Sequence, residues 1–206
     1  MTLEEILQTS TLALDKEKAE DRWDDENRVS YSADGRKLLD AEGFPSEVWV
    51  EQGCEILCDE VFAFQDYMAD TPLGQEIPLE ERNSFLEKIH LPSTLTHIGE
   101  GCFRECGFLE TIRLPKSLLY IGDEAFCDCW QLERITLPAG VKVIGERAFQ
   151  GCINLYQIRL GRELEVIGED AFDDCESLET ILIPHGMLDF FLTLLPKEFH
   201  ECIEEL

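Results

Sequence analysis

The sequence predicts an α+β repeat fold: a right-handed solenoid of about five 23-residue coils with helical N- and C-terminal caps. Three observations lead there. Segments 84–106, 107–129, 130–152 and 153–175 follow one another without a gap, each 23 residues long. Leu recurs at Leu86, Leu109, Leu132, Leu155 and Leu178, with Ile three residues later at Ile89, Ile112, Ile135, Ile158 and Ile181. The second half of each unit repeats Ile-Gly, then Phe103, Phe126, Phe149 and Phe172, and closes on Cys106, Cys129, Cys152 and Cys175. A period of this length marks one supersecondary unit that buries its apolar face only by stacking on its neighbours.

The elements follow in order. Thr2-Leu-Glu-Glu5 has the form of a capping box, and Leu3, Ile6, Leu7 and Leu14 continue it as an amphipathic stretch. Together they predict a helix over about 2–20, the body of a helical cap spanning 1–28. Val29 to Leu39 reads as a hairpin around Asp34-Gly35. It opens a segment, 29–65, that also holds a degenerate first repeat. Val48, Val50, Leu57, Cys58, Val61 and Phe62 stand 41 residues before Ile89, Leu91, Ile98, Gly99, Cys102 and Phe103. Because 41 is one period of 23 plus 18, residues 66–83 are an insertion loop. With Tyr67, Met68 and Leu73 it is a second candidate contact surface.

Residues 84–183 hold the four regular repeats and the first strand of a final coil. Pro92, Pro115, Pro138 and Pro184 end the first strands, with Gly161 substituting once. Residues 184–206 form the C-terminal cap, in which Met187 to Leu195 is a helix over the last coil. Pro196 then starts a second short helix through Cys202 and Ile203.

Charge narrows the partners. Lys and Arg number 17 against 44 Asp and Glu, a net charge of -27, which repels nucleic acid and anionic membranes. The N-terminus lacks the basic start, apolar core and cleavage site of a secretory signal, and no apolar run approaches transmembrane length. The sequence as written is therefore expected in the cytoplasm, with its nine Cys as free thiols.

No chemistry-bearing constellation emerges. Cys54/Cys58 and Cys102/Cys106 have a C-x-x-x-C spacing rather than paired C-x-x-C, and four Cys occupy the closing position of the repeat, where a small apolar side chain packs. His90, His97, His185 and His200 lie outside any H-E-x-x-H or G-x-S-x-G pattern, and no glycine loop cradles phosphate. The acidic edge at Glu100, Asp123, Glu124, Glu146, Glu169, Asp170, Asp173 and Asp174 lacks the alternating ligands and glycine of a calcium loop, and reads as a solvated face. No catalytic residue, cofactor or metal is therefore expected, and the chain is not read as an enzyme.

The unit L-x-x-I-x-L-P followed by I-G-x-x-A-F-x-x-C resembles the BspA-like, or Treponema-type, leucine-rich repeats of bacteria. Units 109–129 and 132–152 match almost without departure, and the resemblance extends over roughly 29–195. It implies a leucine-rich-repeat solenoid with binding as its common role; relatives are often cell-surface proteins that carry a leader.

In an L-x-x-I-x-L strand the apolar columns point inward, so the third and fifth positions project from the concave face. Those pairs are Lys88/His90, Thr111/Arg113, Arg134/Thr136, Gln157/Arg159 and Thr180/Leu182, with Glu47/Trp49 in the degenerate coil. A basic stripe on so acidic a chain points to docking of a protein with an acidic surface. The candidate site is Trp49, Lys88, His90, Thr111, Arg113, Arg134, Thr136, Gln157 and Arg159. In the competing reading the cations only neutralise the column Glu87, Glu110, Glu133 and Glu179, one residue upstream. The alternative function, a surface glycan- or host-ligand-binding adhesin-like protein, calls for aligned exposed aromatics, and only Trp49 holds such a position.

Overall fold

A computed structural model describes residues 1–42, 45–63 and 85–206. The predicted insertion at 66–83, with Tyr67, Met68 and Leu73, lies outside the described residues.

The chain opens with two short helices, α1 (Leu3–Leu7) and α2 (Asp15–Ala19), then an antiparallel meander of β1 (Arg22–Asp24), β2 (Val29–Tyr31) and β3 (Lys37–Ala41). The coils follow as β4 (Glu47–Trp49), β5 (Ile56–Leu57), β6 (Lys88–His90), β7 (His97–Ile98), β8 (Tyr120–Ile121), β9 (Arg134–Thr136), β10 (Val143–Ile144), β11 (Gln157–Arg159), β12 (Val166–Ile167) and β13 (Thr180–Ile183). Helix α3 (Leu188–Leu194), a 3₁₀ turn over Lys197–Cys202 and β14 (Ile203–Glu205) end the chain.

The short second strands join the meander into one sheet in the order β1-β2-β3-β5-β7-β8-β10-β12. The first strands form a parallel pair, β4-β6, and a four-stranded ladder, β14-β13-β11-β9. The degenerate coil pairs at the offset its sequence predicts. Val48 lies opposite Ile89 and Leu57 opposite Ile98.

What fixes the 23-residue step is how closely successive coils approach. A Cβ on Gly145 would stand 2.4 Å from the Asp123 backbone nitrogen, and one on Gly168 would stand 2.3 Å from that of Glu146. Only glycine fits there. Beyond the Ile-Gly step the chain alternates into the left-handed region, at Glu124 (φ 53°), Arg147 (φ 51°) and Asp170 (φ 54°), and again at Glu105, Asp128 and Asp174. This turns alternate N–H groups toward the next coil. Phe103 donates to the Ala125 carbonyl, Phe126 to Ala148 and Phe149 to Ala171, each at 2.8 Å.

The core is a set of columns. Phe62, Phe103, Phe126, Phe149 and Phe172 stack nearly parallel at 5.1–5.7 Å between centroids, and Phe199 closes the stack edge-on at 5.9 Å. Such pairs add about 0.5–1.5 kcal/mol each beyond area burial. The closing cysteines are more than space-fillers. Cys129, Cys152 and Cys175 each donate a buried thiol to a Phe carbonyl of the preceding coil, at 3.1–3.2 Å.

Three expectations need correction. The single helix over 2–20 is broken into α1 and α2. Its capping box forms at Thr2 and Glu5, but Thr9 turns its hydroxyl back onto the Glu5 carbonyl at 2.9 Å and the Thr11 backbone carbonyl accepts from the Asp59 amide at 3.2 Å. Side-chain capture of backbone groups by Ser and Thr competes with the helix, and the cross-bond holds the chain against the solenoid. Second, the cap at 1–28 is not wholly helical, since Arg22–Asp24 forms β1. Third, the helix through Cys202 and Ile203 is a 3₁₀ turn that gives way to β14, which pairs in parallel with β13 and covers its open edge.

The N-terminal cap is anchored through His97, 1% exposed, which has Thr96 Oγ1 2.8 Å from Nδ1 and the Ile6 carbonyl 3.4 Å from Nε2. Burial above all lowers its pKa from the ordinary histidine value. The unfolded chain therefore binds the proton first, so the stability that neutral His97 confers near pH 7 is lost as pH falls below about 6. Wild-type stability should drop more steeply across that window than that of His97→Gln, as read by denaturant melts. Separately, Gly145→Ala should cost about 1–3 kcal/mol. Gly140→Ala, where the nearest atom to an added Cβ is 3.7 Å away, should change stability by less than about 0.5 kcal/mol in the same assay.

Candidate functional site

The first-strand face displays the outward positions. Strand alternation buries Ile89, Ile135 and Ile158 and leaves Lys88, Arg134, Thr136 and Arg159 exposed, with Gln157 and His90 half-buried. Parallel register stacks like positions. Arg134 lies opposite Gln157, Thr136 opposite Arg159, and Trp49 opposite His90. Thr111, exposed like Arg113, is tied to Arg134 by a single parallel bridge.

The predicted residues fall into two groups. Trp49, Lys88 and His90 lie on the β4-β6 pair, while Thr111, Arg113, Arg134, Thr136, Gln157 and Arg159 lie on the larger ladder and the segment bridged to it. Among the described residues no strand pairing joins β6 to segment 111–113.

Within the first group Trp49, 59% exposed, stacks on His90 with centroids 3.4 Å apart and planes 9° from parallel. The His90 Nε2 meets Glu47 Oε1 at 2.8 Å. In the second group the Arg134 guanidinium sits 5.5 Å from the Tyr156 ring centroid, a contact favourable by roughly 0.5–1 kcal/mol at an exposed site.

The acidic column bears directly on what the cations are for. Glu87, Glu110, Glu133 and Glu179 are all exposed. Yet among the described residues neither they nor any other carboxylate comes within 4.0 Å of the charged ends of Lys88, Arg113, Arg134 or Arg159. The ion pairs lie elsewhere. Arg104 bridges Glu60 at 2.8 Å and Glu124 at 3.1 Å, and Arg147 meets Glu124 at 2.8 Å, along the acidic edge.

That edge has a backbone role too. Asp59 and Asp123 each accept from an amide of the next coil, Glu100 at 2.9 Å and Glu146 at 2.8 Å. Burial and the surrounding carboxylates raise the Glu100 pKa. Among the described residues, no three His, Cys, Asp or Glu side chains gather as metal ligands.

An open groove of about 840 Å³ crosses the edges of successive coils where the first strands end. It contains two of the predicted residues, Thr136 and Arg159, and three basic ones that sequence reasoning missed: Lys116, Arg162 and His185. A signal for them existed. They occupy one column of the 23-residue repeat, 116, 139, 162 and 185, just beyond the strand positions that alternation assigns to the outward face.

The description BspA type Leucine rich repeat region matches residues 82–194, in six copies. No curated protein matches the chain. Among solved structures, the chain is similar to a leucine rich cell surface protein from Faecalibacterium prausnitzii, with 21% identity, a TM-score of 0.64, and coverage of 80% of this chain and 39% of that one. It is also similar to the T. pallidum leucine rich repeat protein, with 23% identity, a TM-score of 0.58 and coverage of 79% and 67%. The pneumococcal vaccine antigen PcpA aligns at 24% identity and a TM-score of 0.58. The chain spans 75% of its own length in that alignment but 35% of the antigen. At these identities the likeness is one of fold.

Burial raises the thiol pKa values of Cys102, Cys129 and Cys152 well above the ordinary range. These three should resist alkylation by iodoacetamide in the native state and react only on unfolding, whereas Cys202, partly exposed, should label first; peptide mapping by mass spectrometry reads the order.

Proposed function

This chain belongs to the BspA-type leucine-rich-repeat family, and from that premise we propose that it is a non-catalytic protein-interaction or scaffolding module whose first-strand face docks a protein with an acidic surface. The observation that carries the reading is the row Lys88, Arg113, Arg134 and Arg159. In a chain of net charge -27 these cations have carboxylates on the neighbouring column, yet none is ion-paired among the described residues. Unpaired cations on the first-strand face are complementary to an acidic partner, and steer its approach.

We place the protein in the cytoplasm. Supporting this, Cys129, Cys152 and Cys175 spend their thiols on carbonyls of the preceding coil, an arrangement that a disulfide would break. Among the described residues no helix is long and apolar enough to cross a membrane. A second reading, a surface ligand-binder, draws on the exposed Trp49 and on the cell-surface description of the F. prausnitzii protein. It is the weaker one, because a glycan platform needs a free aromatic face and His90 lies against a face of Trp49.

The test sets the wild type beside Arg113→Glu, Arg134→Glu, Arg159→Glu, after circular dichroism shows both folded. An acidic protein captured from native extract by wild type should then bind the triple variant at least roughly tenfold more weakly in calorimetry, with affinity falling as salt rises. Equal affinity for both forms would defeat the proposal.

A further inference from the structure

The groove at the strand ends has a composition unlike the rest of the surface. Acidic residues number 44 in the chain, yet no Asp or Glu lines it, while Lys116, Arg159, Arg162 and His185 do. Among the described residues no carboxylate lies within 4.0 Å of the charged end of Lys116, Arg159 or Arg162; the one ion pair made by a lining residue joins His185 to Glu205 at 3.5 Å.

The repeat explains its shape. Two columns meet here, 113/136/159 and 116/139/162/185. In both, the coil at 130–152 contributes a small residue, Thr136 and Ala139. Its neighbours contribute long cationic ones, Arg113 and Lys116 on one side, Arg159 and Arg162 on the other. Lys116 and Arg162 thus flank Ala139 two coils apart, roughly 10 Å at ordinary strand spacing, a gap that admits one extended polypeptide. Gly161 deepens it. Where the other coils carry Pro, this glycine lets its backbone approach Pro138 so closely that an added Cβ would stand 2.6 Å from the Pro138 carbonyl oxygen. Leu114 and Pro184, both half-buried, supply an apolar lining.

Building on the strand-face reading, we propose that this groove is the principal contact of the module, and that it takes an extended acidic peptide segment of the partner protein. The chemistry distinguishes such a segment from other anions. Carboxylates on the segment face Lys116, Arg159 and Arg162, while interleaved apolar side chains lie on Leu114 and Pro184. A nucleic acid matches the cations alone, and its longer run of charge is repelled by the rest of the chain.

The experiment uses the full chain and a short fluorescent peptide alternating Glu with Leu and Pro, followed by polarisation. Controls are the same peptide with Gln for Glu and a labelled single-stranded oligonucleotide of equal charge. Two folded variants are compared with wild type: Lys116→Glu with Arg162→Glu in the groove, and Lys88→Glu with Arg134→Glu on the strand face outside it. The expected result is binding of the Glu peptide that weakens by roughly tenfold or more in the groove variant and by less than about threefold in the strand-face variant. Loss confined to the strand-face variant would overturn the groove while leaving the strand-face reading intact. Equal loss in both variants would overturn the groove as principal contact; loss in neither, or no preference for Glu over Gln, would remove both readings. Tighter binding of the oligonucleotide would overturn the peptide assignment.

Discussion

The rest of the molecule depends on the contact between one coil's Ile-Gly step and the backbone of the coil before it. With no side chain between them, successive backbones come close enough for alternate amides to donate across the gap, as Phe126 does to Ala148 at 2.8 Å. That contact sets a constant step along the stack. A constant step in turn brings like residues into van der Waals contact, so the Phe rings stack and each closing thiol reaches the carbonyl of the coil before it. Hydrogen bonding and burial are therefore satisfied by one translation, and neither needs a feature outside the repeat.

The same translation writes the surface in columns. A side chain is rarely alone on such a molecule, because the residue 23 positions away stands one coil along the same face. Acidic columns at the Ile-Gly edge find ready hydrogen-bond partners, since left-handed turns there present amides to Asp59 and Asp123. The first-strand face differs. Where its amides and carbonyls are engaged in parallel pairing, its outward side chains are left to neighbouring side chains and solvent. Variation within a column then becomes topography: Thr136 and Ala139, short residues between long ones, make a depression that no single coil would contain.

Much of this was legible in the sequence. The 23-residue period located the buried columns, and the 41-residue offset of the degenerate coil appears in the structure as the pairing of Val48 with Ile89. Signals that depend on many equivalent positions survive local exceptions. The parts that were not legible are those that occur once. Whether residues 8–14 continue a helix turned on Thr9 and Thr11 finding partners, one of them the distant Asp59 amide. Whether Ile203 to Glu205 formed a strand turned on an open edge at β13, a tertiary circumstance that local propensity does not record. The thiol's second role was hidden for another reason: packing alone accounts for a small buried residue, and only the position of the preceding coil's carbonyl reveals the donor.

The candidate site was half legible for the same reason. Alternation along a strand assigned Lys88, Arg113, Arg134 and Arg159 to one face, because a strand's direction is fixed by its period. Lys116 and Arg162 follow the strand, where a turn decides the direction of each side chain, and alternation says nothing about them. What ties them to the face is the coil step again. Glycine at 161, in place of the proline of the other coils, lets that turn settle onto Pro138, so cations that the sequence spaces 43 or 46 residues apart come to border one depression. In an acidic chain, each such cation left unpaired forgoes a surface ion pair worth at most about 1 kcal/mol. Gathered around an apolar depression that no Asp or Glu lines, together they offer an acidic partner a complementarity that the rest of this surface lacks.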